Sequence, residues 1–449
     1  MTDISAFRKE FKGELVTSAD PGYEEAIARW ARNAVKRAQV VAFVKDADDV
    51  VAALKYAKDV GLRIAIRGGG HNPSAASSVE DGLVIDLSKF LNGATVDADK
   101  KLAYVGGGAL WGTVDQETIK HGLATVGGTV NHTGVGGLTL GGGYGYLSGL
   151  HGLAIDNVAE VTVVTANGSI LKASLTENPD LFYGIRGGGC NFGVVTEALF
   201  TPDKLEALAA VLDTWWANIK PEEAIYVVFG RAPPDGTPMI IANLVYHGSE
   251  AEGRANFKPI FDVGPVADMT KEIPYEDVNT MQNGIALHGF NYFMKGTFLD
   301  KKPSLDMTRT AFNKVMELAQ FGVIDVAMGF EYGSNERVNS VPADETPFRR
   351  DLPGNGVVLV KWNDDALEKA KYARDAAHAL AALTPKLGFA EAYGNYEGID
   401  SDALPKEGAV PADKSQVFFT AAYPKLQALK KKYDPDMVFN KWYPITPAA

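Results

Sequence analysis

The chain of 449 residues carries 44 basic against 56 acidic side chains, a net charge of −12, with 46% hydrophobic residues, 47 glycines and one cysteine. The length sets an expectation of two or three domains. The acidic balance, without any basic patch, argues against a nucleic-acid partner, and the lone Cys190 excludes an intrachain disulfide. No apolar run reaches the roughly eighteen residues of a membrane span. "MTDISAFRKEFKGEL" lacks the apolar core of a signal peptide. No membrane association and an intracellular, cytoplasmic protein are therefore expected.

In chain order, "VVAFV" (40–44) reads as a short buried strand. "DADDVVAALKYAKDVG" reads as a helix, with Asp46 as N-cap, Asp49 three residues on, an apolar face of Val50, Leu54, Ala57 and Val60, and Gly61 to end it. "RIAI" starts a second strand, which completes an α/β unit and runs into "IRGGGHN" (66–72). His71 thus follows a strand end, where α/β proteins bind ligands. "GLVIDLS" and "KLAYVGGG" read as strands and "LWGTVDQETIKHG" as a helix. "GGTVNHTGVGGLTLGGGYG" (127–145) is too rich in glycine for regular structure and reads as a compact loop that a ligand can approach closely. "VAEVTVVTANGSILKA" is a hairpin turning at Asn167-Gly168.

The texture changes after "TPDK" (201–204), where the glycine clusters stop. "LEALAAVLDTWWANI" is a helix candidate, followed by strand-like "AIYVVFGR", "PMIIANLVYHG" and "GNGVVLVKW" and the helical "SLDMTRTAFNKVMELAQ". This pattern predicts a second domain over 206–405, an antiparallel sheet with helices on one side. The tail "SQVFFTAAYPKLQALKKKYDPDMVFN" reads as one amphipathic helix and a terminator.

The glycine clusters fit no dinucleotide or ATPase fingerprint. After Gly134 and Gly136, Thr139 stands where G-x-G-x-x-G needs its third glycine, and no G-x-x-x-x-G-K-[ST] occurs. Four glycine turns remain, at 68–70, 106–108, 134–145 and 187–189, whose backbone amides can cradle a pyrophosphate. On pattern alone His71 is open between a turn residue, a base and a ligand. The other histidines form no metal-ligand spacing, and no metal is expected.

These motifs in order resemble the FAD-linked oxidoreductases of the vanillyl-alcohol oxidase (PCMH-type FAD-binding) superfamily, and most closely the berberine-bridge-enzyme-like branch. The "RGGGH" turn, "GVGGLTLGGGYGYLSGLHGLAIDNV" and "DLFYGIRGGGCNFGVVTEALF" carry the resemblance over 40–200. "FNYFMKGTFL", "AYGNY" and "YPKLQALKKKYDPDMVF" carry it further on. The resemblance implies an α+β fold. A PCMH-type two-part FAD-binding domain would be made of residues 1–205 and 406–449, with the antiparallel-sheet substrate domain of 206–405 inserted between. His71 matches the histidine this family joins to FAD, and Arg67, Gly68, Gly69, Gly70 and Asn72 match the loop beside the pyrophosphate. Val130 stands where many close relatives have a second, cysteinyl anchor, so a monocovalent link through His71 is implied. Gly134, Gly136, Gly137, Gly141, Gly142 and Gly143 match the long flavin loop, Asp156 and Asn157 its close, and Val195 a flavin-contacting backbone position.

Tyr393 and Asn395 match the family's Y-x-N element, with Tyr393 as base or its assistant. In an extended strand the two side chains would share a face. By pattern alone "YGNY" reads rather as an ordinary aromatic strand pair, and the resemblance reverses that reading. Tyr144 and Tyr146 are further tyrosines placed near the ring, while Tyr292, Lys295 and Tyr332 with Glu331 are lesser candidates on the substrate side. The implied activity is an oxidase. Hydride would pass from an alcohol, sugar or related CH–OH small molecule to covalent flavin and then to molecular oxygen, giving H2O2. A flavin dehydrogenase using another acceptor, an oxidative-cyclisation enzyme and a non-catalytic flavin-fold protein are the alternatives.

Overall fold

The computed structural model of the chain describes residues 4–186, 195–200, 215–216, 218–298, 304–350, 354–384, 393–396 and 412–449. The "RGGGC" turn with Cys190 and most of the helix candidate at 205–219 lie outside the described residues.

The architecture is α+β, as the sequence predicts. A four-stranded sheet is built from β1 (Glu14–Thr17), β2 (Val40–Phe43), β3 (Ile64–Arg67) and β4 (Leu83–Asp86) in the order β1-β2-β4-β3. β2 and β3 each run parallel to β4. Both faces are covered. Val40, Ala42, Leu83 and Ile85 pack under Ala53, Leu54 and Ala57 of the helix Ala47–Val60, and Val41, Ala65 and Val84 pack against Tyr23 and Ile27. That double burial is why β2 reads as an unbroken apolar run. The helix begins where the Asp46 carboxylate accepts the Asp49 N–H and ends at Gly61, φ +72°, as the sequence predicts.

Two hairpins follow: β5 (Ala94–Asp97) with β6 (Leu102–Val105), and β7 (Glu160–Val164) with β8 (Ile170–Ser174). The second turns at Asn167-Gly168, with Gly168 at φ +83°. The glycine stretch 127–145 is not wholly irregular, because Val135–Leu140 forms a short helix inside it. Leu138 packs towards Val126 and Ala154, which gives that turn an apolar anchor the glycine count conceals.

The large sheet holds seven antiparallel strands: β9 (Val195–Phe200), β10 (Glu223–Ala232), β11 (Thr237–Tyr246), β12 (Ala267–Asp268), β13 (Asn291–Phe298), β14 (Ile324–Gly333) and β15 (Asn355–Trp362). Their order is β12-β9-β11-β10-β14-β15-β13, so one strand of the sheet precedes residue 206. Ile225, Val227, Met328, Phe330, Val358 and Val360 pack on one face against the helices Leu305–Leu318 and Leu367–Ala381. The opposite face looks onto the glycine loops.

The tail is two helices, Ala412–Phe419 and Tyr423–Tyr433, separated at Thr420, φ +45°. It returns to the N-terminal part. Tyr423 and Leu426 pack with Tyr183, Lys432 pairs with Asp180 at 2.6 Å, and Val438 and Phe439 reach the first core.

Three glycine turns are stitched backbone on backbone. A β-carbon on Gly69 would stand 2.5 Å from the Gly134 Cα, and one on Gly134 would stand 2.4 Å from the Gly69 nitrogen. β-Carbons on Gly68 and Gly136 would stand 2.8 and 2.7 Å from the Gly107 carbonyl oxygen. Backbone cannot swing aside as a side chain does, so Gly134→Ala should cost about 1–3 kcal/mol or more. Gly137→Ala, where nothing lies within 4 Å, should cost far less. Thermal unfolding of the two variants checks this, and equal melting temperatures would contradict it.

Candidate active site

A cavity of about 500 Å³ lies between these glycine turns and the free face of the large sheet. Of the sequence-predicted cofactor residues, Gly68, Gly69, Gly70, His71, Asn72, Val130, Gly134, Gly137 and Gly141 line it. Asn72 fixes the turn after His71, its Oδ1 accepting the Ser74 N–H at 2.9 Å and the Ser74 hydroxyl at 2.6 Å.

His71 sits in an aromatic stack. Its ring lies 4.1 Å from Trp30 at an interplanar angle of 9°, and Trp30 stacks in turn on Tyr292. His71 Nε2 is 3.1 Å from His132 Nδ1, and His132 contacts His288 at 4.6 Å. Residues that share no spacing motif are thus gathered by the fold, although they form no group fit to hold a metal ion among the described residues. Burial, then the neighbouring imidazoles, pushes His71 down to about 3, and burial first pushes His132 down to about 4. At neutral pH both rings are uncharged, as a nucleophilic imidazole must be.

Residues 393–396 do not form the expected extended strand. Gly394–Tyr396 is a 3-10 turn. Asn395 still meets Tyr393, its Nδ2 donating to the phenol oxygen at 2.8 Å, because the turn folds the pair together. The Gly143 N–H donates to the same oxygen at 2.5 Å. Tyr393 therefore ties the glycine loop to this turn.

In a 3-10 turn residues three apart lie one above the other, and Tyr396 stands against Tyr393 with ring centroids 4.9 Å apart. Its hydroxyl donates to Glu331 Oε1 at 2.6 Å, and both residues line the cavity. Burial pushes Glu331 up to about 7, against the opposing hydrogen bonds from Tyr396 and Asn355. Burial, then the Glu331 charge, holds the Tyr396 phenol well above its usual value. Tyr396 is not among the residues the sequence points to, and Glu331 enters there only beside Tyr332. One signal was available: a carboxylate inside "IDVAMGFEYG", an otherwise apolar strand.

Several predicted residues lie elsewhere. The Arg67 guanidinium is held by Asp86 at 3.0 Å, an aspartate with no exposed side-chain surface, and by the Ala26 carbonyl, so it does not line the cavity. Gly136 packs on Gly107, while Gly142 packs on Phe348 and Tyr393. Gly143 serves through its N–H to Tyr393. Asp156 forms a bidentate pair with Arg350 at 2.9 and 2.7 Å, and Asn157 Nδ2 donates to the His151 and Leu153 carbonyls. Val195 pairs with Val245 in the large sheet. Of the tyrosines, Tyr144 lines the cavity, whereas Tyr146 is buried behind it, T-shaped to Tyr226, with its hydroxyl accepting Gln282 Nε2 at 3.2 Å. Tyr292 donates to the Leu287 carbonyl, and Tyr332 is buried against Trp216.

The FAD binding domain family matches residues 38–174. The FAD-linked oxidoreductase fogF of Aspergillus ruber is 30% identical over 94% of this chain and 89% of that protein. The crystal structure of 6-hydroxy-D-nicotine oxidase from Arthrobacter nicotinovorans superposes with a TM-score of 0.84 at 23% identity, covering 100% of this chain and 99% of that one. Glucooligosaccharide oxidase from Acremonium strictum, described with 6-S-cysteinyl, 8α-N1-histidyl FAD, gives 0.82 at 21% identity over 99% of both chains. A glycine-built cavity roofed by an antiparallel sheet, together with a match across the chain's length, places it in a known enzyme family: the chain belongs to the FAD-linked oxidoreductases.

Proposed function

We propose that the protein is an oxidase that takes hydride from a CH–OH group of a small molecule and passes the electrons to O2, giving H2O2. The observation that supports this reading is the hydrogen bond from Tyr396 to Glu331 on the cavity wall. FAD fits the residues present. The turns at Gly68–Asn72, Gly134 and Gly137 offer backbone rather than side chains to the cavity, and Gly137 faces open space. When bound there, FAD supplies the acceptor for hydride.

The chain's own residues move the proton. Tyr396 already donates to Glu331, which leaves its oxygen lone pair for a substrate hydroxyl. Burial disfavours a free phenolate, so the phenol gains the substrate proton as it hands its own to Glu331. An acceptor poised near 7 is suited to that relay. Tyr393, whose oxygen takes the Gly143 and Asn395 N–H donors, positions the loop, and the relay is assigned to Tyr396 because it is Tyr396 that donates to Glu331.

A single histidyl link is the favoured attachment. His71 is neutral and lines the cavity, with its Nε2 engaged by His132. Val130, beside it on the wall, offers no sulfur. The denatured wild-type band should fluoresce as flavin on a gel, and the His71→Ala band should be dark. A dark wild-type band would refute the tether. Peroxide release, and reoxidation of the reduced protein by dissolved oxygen within seconds, support the oxidase. Near-inertness to oxygen would make it a dehydrogenase.

A further inference from the structure

The sheet face over the cavity is organised in rungs. Strand pairing sets Tyr226 beside Glu331, Val228 and Val357 on either side of Gly329, and Ala327 and Met294 on either side of Leu359. All of these residues line the cavity. Because alternate residues share a face, Gly329 lies one rung from Glu331, about 7 Å along the strand. A β-carbon there would stand 3.5 Å from Val357 Cγ1 and 3.6 Å from Val228 Cγ2, in ordinary contact. The glycine is therefore not forced by crowding, and it leaves a notch between two valines.

Beyond Glu331, the rungs at Gly329 and Leu359 present, among the described residues, the apolar side chains of Val228, Val357, Ala327, Leu359 and Met294. The donors of the nearby amides are engaged, Gln282 Nε2 with the Tyr146 hydroxyl and Asn395 Nδ2 with the Leu138 carbonyl and Tyr393. Lys441, the cationic lining residue, lies by Arg63 and Lys36 on the side of the four-stranded sheet. A sugar ring placed on these two rungs would turn its hydroxyls towards apolar side chains, which is unfavourable. A flat apolar ring would not.

Building on the oxidase reading above, we infer that the substrate is an aromatic ring compound. Its ring occupies the notch at Gly329 between Val228 and Val357, its oxidisable CH–OH reaches Tyr396 and Glu331, and Gly329 sets the specificity.

The test is isothermal titration of the flavin-bearing protein with benzyl alcohol, 4-hydroxybenzyl alcohol and cellobiose. It uses wild type, Gly329→Ala and Gly329→Leu, with flavin absorbance as the check on folding. The ring alcohols should bind and cellobiose should not. Gly329→Leu should weaken ring binding at least tenfold and Gly329→Ala about threefold. If Gly329→Leu loses its flavin, the alanine variant carries the comparison. Binding of cellobiose in preference to the ring alcohols, binding of no probe, or ring affinity unchanged within twofold in the variants overturns the proposal while leaving the oxidase reading intact. A colourless wild-type protein overturns both.

Discussion

Tyr396→Phe is expected to slow flavin reduction by substrate roughly 10²–10⁴-fold, the range for loss of a positioned proton-transfer group. The variant should stay yellow, because Tyr396 meets Glu331 and Tyr393 and not the glycine turns. Glu331→Gln should give a loss of similar size and also change the pH profile. Only ionised Glu331 accepts the relayed proton, and burial places its titration at about 7. The wild-type reduction rate should therefore rise by about tenfold per pH unit on the acid side of about 7 and level off above it, and Glu331→Gln should be flat. Stability runs the other way. The folded protein binds this proton more readily than the unfolded chain, whose carboxyl titrates near 4.5, so stability falls as pH rises from about 4.5 to about 7. Glu331→Gln should thus be at least as stable as wild type at pH 8, which separates a lost acceptor from a damaged fold. Anaerobic stopped-flow bleaching reads the rates. A Tyr396→Phe enzyme within threefold of wild type, alongside an inactive Tyr393→Phe, would return the base to Tyr393.

The second large effect is on stability. Arg350→Ala should cost about 3–5 kcal/mol, since it strips a buried carboxylate of its cation. The side chains of Asp156 and Arg350 are 3% and 4% exposed. Arg350 also donates to the Val338 carbonyl at 3.2 Å and to Thr346 Oγ1 at 2.8 Å, and Asp156 also accepts the Leu153 N–H at 2.9 Å. The pair joins the end of the glycine loop to the segment 338–350. Asp156→Leu combined with Arg350→Met should lose less than either single truncation, because no charge is then left unpaired. Urea unfolding reads all of these variants, and a loss below about 1 kcal/mol for Arg350→Ala would contradict the account.

What the sequence made legible was local chemistry. The Asp46 cap, the Gly61 stop and the Asn167-Gly168 turn each act within a few residues, and each is found where the pattern puts it. The glycine clusters marked the cavity but not their division of labour: some face it, others let one turn lie on the next. That division depends on contacts between residues 69 and 134, or 68 and 107, which no local pattern encodes. The same holds for Asp156, whose partner lies 194 positions away, and for the stack of Trp30, His71 and Tyr292. At 393–396 the choice between a period of two and a tighter turn decided which tyrosine faces the carboxylate. Four residues, Tyr-Gly-Asn-Tyr, are too few to reveal a period.

The packing of the tail sets an order of events on the ribosome. Phe439 packs against the core of the four-stranded sheet and lines the cavity, and Trp442, whose indole donates to the Gly394 carbonyl at 3.1 Å, lines it too. A nascent chain that has emerged as far as the large sheet can complete both sheets but not the cavity wall. Cofactor capture and any covalent attachment at His71 must then wait until residues 438–442 have emerged and docked. Cofactor capture is accordingly expected to be a late, post-assembly step, and stalled chains lacking those residues should remain colourless when both sheets have formed.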